Sequence, residues 1–176
     1  MIFETKIKMA LKYILFVLLG LLIFYGGIFF LQGKGFQFSY QQAKSMPEGI
    51  YFIYPTSRYL DGQNILFWPN KASEKHMIKR GYIRQKTPLL KQIVGINGDK
   101  VCIKDHKLYI DGAVLGPVYQ EDRKGRPLEQ LQICRNLNVN EFFVMGVSSP
   151  KSYDSRYYGM ITKSQIIGKA KLLWSR

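Results

Sequence analysis

Two side chains in this sequence could form a hydroxyl nucleophile and its base. Ser45 lies in Lys44-Ser45-Met46-Pro47-Glu48-Gly49, where proline and glycine mark a turn just ahead of the aromatic and β-branched run Ile50 to Tyr54. A serine hydroxyl is a weak nucleophile and needs a base within hydrogen-bond reach. The chain has only two histidines. His76 sits in a charged stretch of irregular pattern and His106 in a tight turn between strands, contexts in which an imidazole ordinarily faces water. A lysine can take the base's role if burial strips its charge of solvation and lowers its pKa. Lys91 is the candidate. In an extended strand it shares a face with Leu89 and Ile93, while Leu90, Gln92 and Val94 point the other way, so its amine projects from an apolar surface. The ordinary place for a strand lysine is an edge or the solvent, and most other lysines here lie in polar neighbourhoods.

These two residues must be positioned by a chain of 176 residues, enough for one domain of ordinary size and an anchor. The segment before Lys12 is short and basic, and the uncharged run Tyr13 to Leu31 follows it directly. At a rise of ~1.5 Å per residue that run spans about 28 Å, close to the thickness of a bilayer's hydrocarbon. It reads as one transmembrane helix, since it exceeds a signal-peptide core and no small-residue cleavage site follows. Lysines are slightly denser before the span than after it, which puts residues 1–12 in the cytoplasm and exports the chain beyond residue 31. Residues 32–44 then form a polar juxtamembrane linker and 45–176 the exported domain.

The net charge is +14, with 26 Lys and Arg against 12 Asp and Glu. That balance suits a protein held beside anionic lipid. The basic residues are scattered, with no arginine-rich arm, zinc-finger spacing or helix-turn-helix pattern, so no nucleic-acid partner is expected. Cys102 and Cys134 lack metal-ligand spacing, and no metal or cofactor is expected. In an exported domain the two cysteines are expected to pair as a disulfide.

The exported part reads as mainly β. Expected strands are Ile50 to Tyr54, Asn64 to Trp68, Leu89 to Ile96, Lys100 to Lys104, Lys107 to Ile110, Glu141 to Met145 and Ile166 to Trp174. Asn97-Gly98 is a two-residue hairpin signal that should fold Lys100 to Lys104 back on Leu89 to Ile96. Lys71 to Gly81 reads as a short helix or a surface loop, and Tyr119 to Gln132 as a long loop.

Three boxes of residues carry a resemblance. Ser45-Met46-Pro47 with Gly49, then Lys91 with Gly95, Gly98 and Asp99, then Ser152-x-Asp154-Ser155-Arg156 with Gly159, in that order after one N-terminal span, resemble the motifs of type I signal peptidases. Gly125-Arg126-Pro127-Leu128, Cys134-Arg135-x-Leu137 and Ile167-Gly168-Lys169-Ala170 are similar to the TraF-type subfamily, the conjugal-transfer signal peptidases that mature pilins. The resemblance implies a coiled, barrel-like β-sheet domain, facing the periplasm, on a single-pass protein of the bacterial inner membrane. It implies Ser45 as nucleophile, Lys91 as general base, and Ser152 as the hydroxyl that orients the lysine. Asp154 and Arg156 would brace the wall of the site, and Met46 and Pro47 would shape the turn and contact the substrate.

The implied partner is a membrane-inserted precursor with small side chains flanking the cut, a conjugative pilin above all. A general signal peptidase, or a non-catalytic subunit of a secretion apparatus that keeps the fold, are the alternatives. Alternation in extended chain would put Ser152, Asp154 and Arg156 on one face, and an Asp/Arg pair of this kind is ordinarily a surface ion pair of little worth. Two departures stand out. Ala43 occupies the place where many relatives carry a second hydroxyl donor for the oxyanion, leaving the Ser45 backbone N–H as the natural one. Gly146-Val147-Ser148 replaces the usual Gly-Asp-Asn.

Overall fold

The computed structural model describes residues 2–175. The chain divides into two compact units, one ending at Gln37 and the other beginning at Phe38.

In the first unit one helix, α1 (Ile2–Gly33), contains the apolar stretch Leu11–Gly33, with a mean hydropathy of 2.7 and enough length to cross a bilayer. The helix therefore starts well before Tyr13 and takes in the basic segment; the first residue of that segment lies outside the described residues. Its end has a defined cause. Gly35 adopts φ 84°, and its N–H donates to the Gln32 carbonyl while the Phe36 N–H donates to that of Leu31. This is a Schellman arrangement, which satisfies carbonyls that a frayed end would leave open.

The second unit is mainly β. In chain order its elements are β1 (Gln37–Gln41), β2 (Gly49–Tyr54), β3 (Asn64–Phe67), α2 (Lys71–Lys79), β4 (Leu89–Gly95), β5 (Lys100–Lys104), β6 (Lys107–Ile110), β7 (Ala113–Pro117), β8 (Cys134–Asn136), β9 (Glu141–Met145), α3 (Ser155–Tyr158), β10 (Ile161–Thr162) and β11 (Ile166–Ser175). A curled seven-stranded sheet runs β1-β2-β11-β3-β4-β9-β10, and a smaller one runs β7-β6-β5-β8. The ten-residue β11 pairs with both β2 and β3, and register shifts at Ile166/Gly168 and Leu172/Trp174 let it bend. The stretch read as a polar linker thus contains β1. Its aromatic residues are the reason: the Phe38 ring meets Phe52 of β2 at 5.4 Å.

The large sheet is covered on both faces, which is why its central strands read as continuous apolar runs. On β3, Ile65 and Phe67 enter one core with Met77, Leu89, Ile93 and Val144, while Leu66 enters a second with Met46, Tyr51, Ile53 and Leu90. On β9, Phe143 and Met145 turn to a third core shared with Val101 and Leu108 of the smaller sheet and with Leu137 just beyond β8.

One expected hairpin is absent. Asn97-Gly98 does not fold β5 back on β4, because β4 already has β3 on one side and β9 on the other. The turn instead passes the chain to the smaller sheet, with the Asp99 carboxylate accepting from the Ile96 N–H at 2.8 Å and the Gly98 N–H donating to the Leu137 carbonyl. A meander of β5, β6 and β7 follows, with left-handed pairs at Asp105-His106 and Asp111-Gly112 making its two tight turns. Cys102 and Cys134, opposite one another on β5 and β8, are joined as a disulfide that closes the long loop from behind.

Candidate active site

The loop before β2 presents Ser45 because that residue and the two after it are tied down. Met46 is 1 % exposed and sits among Tyr51, Ile53, Leu66 and Leu90. The Tyr51 hydroxyl donates to the Pro47 carbonyl at 3.0 Å, and the Ser148 N–H donates to the Ser45 carbonyl at 3.1 Å. Met46 is therefore a core anchor for the serine loop, and neither it nor the exposed Pro47 lines the adjoining cleft. Substrate contact, expected of both, has no support in that geometry.

The cleft, of about 280 Å³, is lined by Ser45, Lys91 and Ser152, with Ala43 at its edge. Lys91 is 4 % exposed, in register with Ile65 on β3 and flanked on its own face by Leu89 and Ile93. Its amine donates to the Ser152 hydroxyl at 2.8 Å. Burial lowers its pKa to about 8, with Asp154 opposing and Arg156 assisting. A fraction of the amine is thus neutral, and able to accept a proton, near physiological pH.

Residues 152–156 do not form the extended run that alternation suggests. Asp154 caps α3, and its side chain and that of Arg156 are fully buried. The Asp154 carboxylate accepts from Arg156 Nε and Nη2, each at 2.8 Å, and from the Gly146 N–H at 3.0 Å. Arg156 also donates from Nη1 to the Pro117 carbonyl at 2.7 Å and from Nη2 to that of Ser152 at 3.2 Å. A surface pair would contribute little, but this one is forked, dry and bonded on every side. It joins Ser152, β9 and the end of β7 into one wall.

Gly146 lets that wall close. A Cβ there would land on the Ser152 hydroxyl and 2.8 Å from the Ser45 carbonyl oxygen. Gly146→Ala is expected to cost about 2 kcal/mol of stability or more by overpacking, and to push Ser45 and Ser152 apart. Urea unfolding checks the first effect, and the rate of acylation by a serine-reactive probe checks the second.

The opposite side of the cleft combines α2 with the long loop, a connection the sequence did not reveal. Asp122 accepts from the Tyr82 hydroxyl at 2.6 Å, from Arg126 Nε at 2.7 Å and from the Lys124 N–H at 2.8 Å, with Arg80 at 3.7 Å. Burial pushes its carboxyl up, but these donors outweigh that and hold it well below the usual carboxylate range. Gly125-Arg126-Pro127, noted for its resemblance, was the only trace of this clasp. His76 is half-buried and stacked on Tyr153 at 5.6 Å, so it is not the surface histidine expected; burial and the Arg80 charge lower its pKa. His106 is exposed in its turn beside Gln120.

A family model described as signal peptidase, peptidase S26, matches residues 9–175. The plasmid transfer protein TraF of Escherichia coli is 29% identical over 134 residues, covering 70% of this chain and 75% of that protein. The conjugal transfer protein TraF of Agrobacterium fabrum is 28% identical over 137 residues, covering 72% of this chain and 76% of that one. Signal peptidase I of Bacillus caldolyticus is 29% identical over 98 residues, covering 50% and 54% respectively.

Proposed function

The chain belongs to the peptidase S26 signal peptidase family, and from that premise we propose that it is a membrane-anchored serine endopeptidase with Ser45 as nucleophile and Lys91 as general base. One observation carries the reading: a buried lysine amine, 2.8 Å from the Ser152 hydroxyl, lines the same cleft as Ser45. Neutral Lys91 takes the Ser45 proton as the hydroxyl oxygen adds to the scissile carbonyl. The Ser45 backbone N–H receives the developing oxyanion. The ammonium of Lys91 then protonates the departing amine, leaving an acyl-enzyme on Ser45. Water, or a second amine, adds to the ester and releases the serine. Ser152 holds the lysine in line throughout, and the Asp154/Arg156 pair positions Ser152 as supporting residues.

The substrate in this proposal is a membrane-inserted precursor cut on the periplasmic side of the bacterial inner membrane, and specifically a conjugative pilin. Two relatives named for plasmid or conjugal transfer, aligned over about three-quarters of their length, support that choice. The span Leu11–Gly33, in the same bilayer as the substrate, raises effective concentration. Co-expression with pilin and secretory precursors, read by intact mass, tests it. Pilin alone should be trimmed, and a product lighter by one further water marks an amine as the resolving group. Trimming of most secretory precursors would instead make it a general signal peptidase.

The Lys91 pKa gives a second measurement. The active form is the neutral amine, so kcat/KM should rise through a midpoint near pH 8 and level above it. A rate independent of pH between 6 and 10 removes Lys91 as the base.

A further inference from the structure

The cleft carries charge that the chemistry does not use. Lys44, Arg123, Lys124 and Lys151 line it together with Ser45 and Lys91, and all four are exposed. Among the described residues none of the four is in an ion pair. The acidic lining is Glu121 and Asp122, and Asp122 is already engaged by Arg126 and Arg80. Two of the cations are oriented. Arg123 Nη2 donates to the Ser149 hydroxyl at 2.6 Å, and the Lys151 ammonium lies 5.4 Å from the centre of the Tyr119 ring. Like charges gathered in a concave, largely apolar-walled cleft reinforce one another's potential and concentrate an anion there.

We propose that the cleft selects precursors with an acidic side chain within a few residues of the scissile bond, its carboxylate received by Arg123, Lys124 and Lys151. The inference rests on the peptidase reading and names the substrate class of that same site. An extended peptide advances about 3.3 Å per residue, so a cleft of about 280 Å³ spans only the residues nearest the cut. The carboxylate offsets the mutual repulsion of the cations, and because they line the cleft that holds the reacting serine, the preference enters kcat/KM. A lipid phosphate offers similar chemistry, but the cations are gathered in the concavity that holds Ser45, where an extended peptide must lie.

The test uses the full chain in phosphatidylcholine nanodiscs and synthetic peptides built on one alanine-flanked scissile bond. Glu, Gln or Lys is stepped through the positions on either side. Cleavage is followed with the wild-type protein, and binding to the Ser45→Ala protein by fluorescence anisotropy. Glu at one position is expected to exceed Gln by about tenfold in both assays. The ratio should fall at least about threefold with Lys124→Gln/Lys151→Gln and shrink with added salt. Equal binding of Glu and Gln peptides at every position overturns the proposal, whether or not they are cut. Preferential binding of Glu peptides without any cleavage upholds it and sinks the peptidase reading instead. A Glu-to-Gln ratio near one, with a rate that rises only when phosphatidylglycerol is added, assigns the cations to lipid and also overturns it.

Discussion

Ser45→Ala and Lys91→Met proteins are expected to process precursor at least about a thousandfold more slowly than the wild type, the scale on which members of a nucleophile/base unit fail. The two replacements should be almost as damaging alone as together, because each removes the same step. What separates this from simple misfolding is the stability of Lys91→Met. In the folded protein the amine's pKa is lowered from 10.5 to about 8. Between those values the unfolded chain binds more protons than the folded one, so wild-type stability rises with pH across that window. Below it the folded state carries the full penalty, about 3 kcal/mol at 1.36 kcal/mol per pKa unit. Lys91→Met should therefore be more stable than wild type at pH 7, by about 2–3 kcal/mol, and lose that advantage above pH ~10. Urea unfolding at the two pH values measures it. An inactive variant that is also less stable at pH 7 contradicts this account.

Asp154→Ala is expected to have the largest effect on folding. It leaves the Arg156 guanidinium at 0 % exposure without a counter-charge, removes the acceptor for the Gly146 N–H and uncaps α3. Breaking a buried pair by removing one partner costs about 3–5 kcal/mol. Asp154→Leu/Arg156→Met should cost less than Asp154→Ala alone, since no buried charge is then left over. Asp154→Asn keeps an acceptor and the cap but removes the charge that raises the Lys91 pKa while leaving the Arg156 charge that lowers it. Its pH-rate midpoint should lie below that of the wild type. Denaturant unfolding and a pH-rate profile check these outcomes, and an unmoved midpoint would show that the pair acts on packing alone.

Much of the fold was legible because it is local. Ile50 to Tyr54, Lys100 to Lys104, Lys107 to Ile110 and Glu141 to Met145 all fall in strands, and the apolar run near the N-terminus lies within one helix. The strands β1, β7, β8 and β10 were missed. β8 and β10 are short, β1 carries polar residues and β7 ends in Gly-Pro, and their pairing partners, more than their own composition, hold them extended. Asn97-Gly98 misled because a turn signal specifies a change of direction and not which strand lies alongside.

By itself the sequence determined the residue types, their order and their local periodicities. These were enough to pick out Ser45, to place Lys91 on an apolar strand face and to identify the family. Tertiary structure decided what surrounds them. Lys91 loses solvent because β3 and β9 flank its strand and cores cover both faces of the sheet. Asp154 and Arg156 form a dry brace, where the spacing suggested a surface pair, because Gly146, Pro117 and Ser152 converge on them from distant segments. The physical reason is the same in each case. Burial and the energy of a charge depend on what is brought near from elsewhere in the chain, and a run of neighbouring residues does not encode that.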